Sequence, residues 1–199
     1  MSDRPDKPQL RQQARRRRRS LDPAERPRMQ ADVAGHLLAA AKRQRWQRIG
    51  AYAATASELD LAPFFNAAAG LDPPASIYLP AILAPGVMVF RRWPIGSGLV
   101  EGPHRILQPS AHCRESPASA LDAILLPLLA FDHCGTRLGS GAGYYDRLLA
   151  FRRQVSTPPR LVGIAFQAQH MDALPRDAWD IPLDAVCTET GWRDLRAGD

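Results

Sequence analysis

Apolar positions follow a helical spacing over the first quarter of the chain and fall into short runs separated by turn residues thereafter. Leu10, Ala14 and Leu21 lie near one face of an otherwise polar segment, which predicts a helix over about residues 6–19. Asp22-Pro23-Ala24-Glu25 reads as the start of a second helix, with a capping acid, proline at the first position and glutamate at the third. Pro27 removes one early hydrogen bond and is expected to bend that first turn. Met29, Val33, Leu37, Ala40 and Ala41 then mark an apolar stripe that reaches about Arg45.

Beyond it, strands and helices alternate. Ile49–Ala53 is a short predicted strand, followed by polar Thr55–Glu58 and a helix from about Leu61 to Ala69. Ile77–Leu79 and Val87–Phe90 are further strands bounded by proline or glycine. Residues 96–117 read as loop. Ala123–Phe131 and Leu161–Phe166 are apolar enough for buried strands, and Ala185–Thr188 is a last short one. Such alternation predicts an α/β fold: a three-layer, mainly parallel twisted sheet flanked by helices, Rossmann-like, in a single domain over residues 1–199.

Composition adds one correction to first impressions. The 199 residues are 45% hydrophobic and 23% charged, ordinary for a globular protein, but the formal net charge is +6. Residues 1–19 carry eight basic side chains (Arg4, Lys7, Arg11 and Arg15–Arg19) against Asp3 and Asp6, so that segment holds the whole excess and the rest is neutral. The pentad Arg15–Arg19 invites a nucleic-acid reading, yet it falls inside a helical pattern without interleaved aromatics for base stacking. Most of it reads as a solvated helix face, while Lys7 and Arg11, one turn apart, could reach an anionic ligand. Cys113, Cys134 and Cys187 are odd in number and unpaired in spacing, which points to free thiols. No secretory apolar core and no membrane-length run is present, so the expected compartment is the cytoplasm and no membrane partner is expected. His112-Cys113 and His133-Cys134 match no usual zinc spacing.

The most specific stretch is Gly135-Thr-Arg-Leu-Gly-Ser-Gly-Ala-Gly-Tyr-Tyr-Asp146, set between a predicted buried strand and a predicted helix. Its alternate glycines (Gly139, Gly141, Gly143) let backbone approach a phosphate, and the free N–H groups of a helix start point at it. Arg137 adds a forked cation and Asp146 a carboxylate able to hold a phosphate-bound Mg²⁺. It is neither a P-loop nor a Gly-x-Gly-x-x-Gly fingerprint. Glu58 follows a predicted strand end, where open parallel sheets bind ligands; read alone, it better suits a helix N-terminal acid. Asp180 reads either as a site carboxylate or as a plain turn residue.

Phe131-Asp-x-x-Gly-x-Arg137-Leu-Gly-x-Gly-x-Gly-Tyr-Tyr-Asp146 resembles the signature of the 5-formyltetrahydrofolate cyclo-ligase (methenyltetrahydrofolate synthetase) family. Weaker pieces agree in order: Lys7-x-x-Leu-Arg11, Tyr52 with Glu58, Leu79-Pro80, Gln108-Pro109 and Asp180-x-x-Leu-Asp-x-x-x-Thr-Glu189. The resemblance implies ATP- and Mg²⁺-dependent conversion of 5-formyltetrahydrofolate to 5,10-methenyltetrahydrofolate, with ADP and phosphate released. The formyl group is an amide, so its oxygen must be phosphorylated before N10 can displace it within the same molecule. Carried over by position, Lys7, Arg11 and the loop Arg137, Leu138, Gly139, Ser140, Gly141, Ala142, Gly143, Tyr144 and Tyr145 would hold ATP. Arg137, Tyr145 and Asp146 would serve catalysis, and Asp146 and Asp180 would place Mg²⁺. Arg11, Ala53, Glu58 and Tyr145 would contact the folate, in an enzyme expected to act as a monomer. The chain departs from the family pattern at Gly102–Pro109, at Ser140 and Ala142, and at Trp179, where histidine is commoner. Alternatives are a ligase or kinase for another small molecule, or a nucleic-acid-binding protein using Arg15–Arg19.

Overall fold

Asp6 opens the first helix by accepting a hydrogen bond from the Gln9 N–H at 2.9 Å. The computed structural model describes residues 6–55, 57–155 and 158–195. In chain order the elements are α1 Lys7–Arg19, α2 Arg26–Gln44, β1 Arg48–Gly50, α3 Ala62–Ala68, β2 Ser76–Ala84 and β3 Val87–Trp93. Three short strands follow: β4 Val100–Glu101, β5 Leu107–Gln108 and β6 Glu115–Ser116. Then come β7 Ala123–Pro127, β8 Ala130–Phe131, β9 Arg137–Leu138, α4 Tyr144–Leu148, β10 Arg160–Ile164, β11 Ala185–Thr188 and β12 Gly191–Asp194.

Eight strands form one sheet in the order β12-β11-β10-β7-β1-β2-β3-β6. Its centre is parallel, β11-β10-β7-β1-β2, and both margins are antiparallel. The expected mainly parallel α/β sheet is therefore present, with antiparallel borders that short polar segments did not announce. β7 buries side chains on both faces: Leu125 joins the cluster with Leu37, Phe64 and Phe166, whereas Ile124 and Leu126 join Phe90, Leu149 and Leu161. α2 and α3 cover the first face, and α4 packs its Tyr145 and Leu148 on the second. α1 sits apart from both layers, its Leu10 and Ala14 buried on Leu129, Ala130 and Leu138 of the β8–β9 hairpin.

Several predicted boundaries shift for identifiable reasons. Asp22 does not cap a helix; its Oδ1 accepts from the Ala24 N–H at 2.9 Å in a local turn, and α2 begins at Arg26. Pro27 thereby occupies the first helical turn, where its missing N–H costs nothing. β2 runs through Pro80 rather than stopping before it. The Tyr78 carbonyl accepts from Ala51 across the β1 side, so Pro80, two residues on, faces that same side after β1 has ended at Gly50. The expected strand Ala123–Phe131 is two, because the chain leaves the sheet after Pro127 to build the β8–β9 hairpin. Residues 96–117 are not all loop: β4 and β5 pair, and β6 extends the sheet.

Candidate active site

Between β1 and β7 the winding of the sheet reverses. β1 leads through α3 to β2 on one flank, and β7 leads to β10 on the other. Open parallel sheets bind ligands beyond the carboxyl ends of strands at such a point. Here Tyr52 and Ala53 beyond β1, and Leu128 and Leu129 beyond β7, line a cavity of about 1140 Å³. Ligand pockets usually measure roughly 300–1,000 Å³, so this one is at least as large as a pocket for a single sizeable ligand.

Helix α1 forms one wall. Lys7, Arg11, Arg15 and Arg18 all border the cavity, a column at helical spacing. Arg18 corrects the expectation of a solvated pentad: it is buried, donating to Ser57 Oγ at 3.1 Å and to the Leu128 carbonyl at 3.4 Å, with burial lowering its pKa. Its register with Leu10 and Ala14 carried that signal in the sequence. Arg17 donates to the His170 carbonyl at 3.2 Å, so the basic run is in part an internal brace.

The glycine-rich loop forms the facing wall, and its carbonyls are tied down by guanidinium groups. Arg11 Nε donates to Gly139 O at 3.1 Å, Arg15 to Ser140 O at 3.5 Å and Arg147 to Ala142 O at 2.7 Å. The loop N–H groups from Gly139 to Tyr145 have no acceptor among the described residues. Gly141 and Gly143 take φ of +110° and +67°, a backbone that L side chains resist. One expectation needs correction: α4 has only five residues, so its own dipole contributes little and the loop N–H groups and the cations must carry the anion.

Arg137 and Asp146 meet at the base of this loop. Arg137 NH2 donates to Asp146 Oδ1 at 2.5 Å, and NH1 donates to the Ile181 carbonyl. Burial lowers the guanidinium's pKa while the Asp146 charge opposes that shift. Asp180 and Asp177 both receive Lys7 Nζ, at 2.7 and 2.6 Å. Burial alone would raise Asp180, yet the Lys7 ammonium and the Asp177 N–H hold it below the ordinary carboxylate range. Asp146 Oδ2 and Asp180 Oδ1 keep no partner among the described residues.

At the other end, Glu58 Oε2 closes its own turn, accepting from Thr55 N and Thr55 Oγ1, each at 2.9 Å, and its Oε1 has no partner among the described residues. Tyr52 donates its hydroxyl to Leu59 O at 2.8 Å. Burial, then the Glu58 charge, pushes the Tyr145 phenol far above its ordinary value, so it stays protonated and can donate. The structure thus gathers around one cavity every residue to which the family resemblance gave a binding or catalytic role, from Lys7 to Asp180. It adds Arg15, Arg18, Arg147, Arg153, Asp177 and Trp179, to which the sequence reading gave no role in this site.

Fold and site together define a doubly wound α/β protein with a cationic, glycine-lined crevice at its switch point. The sequence matches the 5-formyltetrahydrofolate cyclo-ligase family over residues 3–189, and the chain belongs to that family. It is 34% identical over 179 residues to the 5-formyltetrahydrofolate cyclo-ligase of Escherichia coli K12, covering 87% of this chain and 95% of that protein. The NMR structure of Aquifex aeolicus 5,10-methenyltetrahydrofolate synthetase superposes with a TM-score of 0.82 at 32% identity, covering 97% of this chain and 94% of that one. A Mycoplasma pneumoniae 5,10-methenyltetrahydrofolate synthetase shares the fold, with a TM-score of 0.74 at 24% identity over 93% and 99% of the two chains. No helix among the described residues is long and apolar enough to cross a membrane.

Proposed function

We propose that the chain converts 5-formyltetrahydrofolate to 5,10-methenyltetrahydrofolate using ATP and Mg²⁺, releasing ADP and phosphate. The observation that carries this reading is the loop whose carbonyls are pinned by Arg11, Arg15 and Arg147 while its N–H groups remain unpaired. An array of unpaired N–H groups beside cations is what a polyphosphate needs. When bound, ATP supplies the phosphoryl group that turns the formyl oxygen into a leaving group. Mg²⁺ supplies charge neutralisation on the phosphates.

The donor set fits such an ion. Among the described residues no three His, Cys, Asp or Glu side chains gather into a metal site. Mg²⁺ on a nucleotide needs only one or two carboxylates beside phosphates and water. Asp146 and Asp180, each with one oxygen to spare, would hold it.

The chain's own residues then have separable tasks. Lys7, Arg11 and residues 137–145 bind the phosphates. Arg137, braced by Asp146, stabilises charge on the transferring group. Glu58 accepts N–H donors of the pterin ring through Oε1, with Ala53 and Arg11 beside the folate. Tyr145, protonated, orients substrate by donating. A reactant held this way needs no dominant acid–base group, because the N10 attack is intramolecular. The reading takes residues 1–199 as one monomeric cytoplasmic domain; three thiols outside any disulfide suit a reducing compartment. Burial of Arg18 and the carbonyl contacts of Arg15 and Arg17 weigh against a nucleic-acid role for the pentad.

Purified protein mixed with 5-formyltetrahydrofolate, Mg²⁺ and ATP is expected to form methenyl product, followed by its absorbance. A folded protein that yields none, and no ADP, overturns the proposal.

A further inference from the structure

We infer that Trp179 is the stacking surface for the purine base of the nucleotide, an inference that rests on the use of ATP proposed above. Six large apolar side chains are exposed among the described residues, and Trp179, at 61%, is the one aromatic among them. An indole offers a broad flat apolar face that a planar ligand can cover. It borders the same cavity as the glycine-rich loop.

Its backbone is fixed although its ring is bare. The Trp179 carbonyl accepts from Arg153 NH2 at 2.9 Å. The turn that carries it is closed on both sides, by Asp180 N to Asp177 O at 3.1 Å and by Asp177 N to Asp180 Oδ2 at 2.8 Å. That turn is anchored in turn by Lys7, whose column on α1 also holds the loop through Arg11. The indole takes part in none of the ring or cation–ring contacts among the described residues.

Position selects the occupant. From the loop, the cavity wall continues along α4 and the turn after it as Arg147, Ala150 and Arg153, and Trp179 lies against the last of these. Ala150 presents only a methyl group to that wall. Ala53 and Glu58, two of the residues assigned to the folate, lie instead beyond the end of β1. A nucleotide gripped by its phosphates at residues 139–145 can therefore extend its base along α4 onto the indole. A flat, neutral π face suits a base and gives nothing to a phosphate.

The experiment compares wild type, Trp179→Phe and Trp179→Ala by calorimetric titration with ADP and, separately, inorganic tripolyphosphate. Base–aromatic stacking makes ADP bind Trp179→Ala about 10-fold more weakly, with Trp179→Phe in between. Tripolyphosphate, having no base, is expected to bind all three forms alike. ADP should also quench wild-type tryptophan emission and leave Trp179→Phe unquenched, since Trp46 is buried and Trp93 and Trp192 pack on the core. Equal ADP affinity in wild type and Trp179→Ala overturns the inference while nucleotide use stands. If wild type binds neither ADP nor tripolyphosphate, the proposed function fails and this inference with it.

Discussion

Replacing Asp146 separates the carboxylate's structural duty from its chemical one. The Arg137 side chain is 6% exposed and that of Asp146 29%, and they meet at 2.5 Å. In Asp146→Asn the amide oxygen still accepts from Arg137, so a charge-assisted bond worth about 1.5–3 kcal/mol becomes a neutral one worth about 0.5–1.5. Partial exposure of the carboxylate screens part of that difference, leaving a loss of about 1 kcal/mol. In a chain of this length each kcal/mol moves Tm by about 2–4 °C. Asp146→Ala removes the acceptor and strands a buried guanidinium, whose remaining bond is to the Ile181 carbonyl; the loss should reach about 3 kcal/mol. Turnover should fall at least about 100-fold in both, the scale seen when a preorganised charge partner is removed. Urea denaturation measures the first quantity and methenyl absorbance the second. The reasoning is refuted if Asn and Ala cost the same stability, or if Asp146→Asn keeps turnover within a few-fold of wild type.

Other outcomes follow from the same geometry. Burial alone would lower Lys7, but its bonds to Asp177 and Asp180 raise it above the ordinary 10.5, while Asp180 is held below 3.8. The ammonium's contribution is then full below 10.5 and lost as pH rises through its folded value. The Asp180 contribution is full above 3.8 and lost as pH falls through its folded value. The stability difference between wild type and Lys7→Met should therefore stay flat from about pH 5 to 9, and a step near neutrality would contradict the pairing. Gly135 has φ +78°, and a Cβ there would stand 2.7 Å from Leu183 O. Gly135→Ala should thus cost about 2 kcal/mol or more, and unchanged thermal unfolding would refute that. Burial pushes the Cys187 thiol up to about 12, so a thiol reagent at pH 8 should titrate exposed Cys134 first and Cys113 more slowly. Cys187 should react only after denaturation; fast reaction in the native protein would count against its burial.

What the chain announces by itself is whatever depends on neighbours in sequence. The glycine-rich loop was legible because its alternate glycines, Arg137 and Asp146 stand within ten residues. The central strands were legible because β7, β10 and β11 are buried on both faces and are apolar apart from Arg160 and Thr188 at their ends. Tertiary structure alone decided what depends on distant partners. Arg18 looked like a member of a solvated pentad, and only the docking of α1 on the β8–β9 hairpin puts its guanidinium against the Leu128 carbonyl. Pro80 looked like a strand end, and only the early end of β1 lets β2 run through it. Lys7 and Asp180 are 173 positions apart, and Glu58 reaches the cavity from beyond β1 whereas Tyr145 reaches it from α4. Periodicity encodes which face a side chain turns; it holds no record of what the fold later sets opposite.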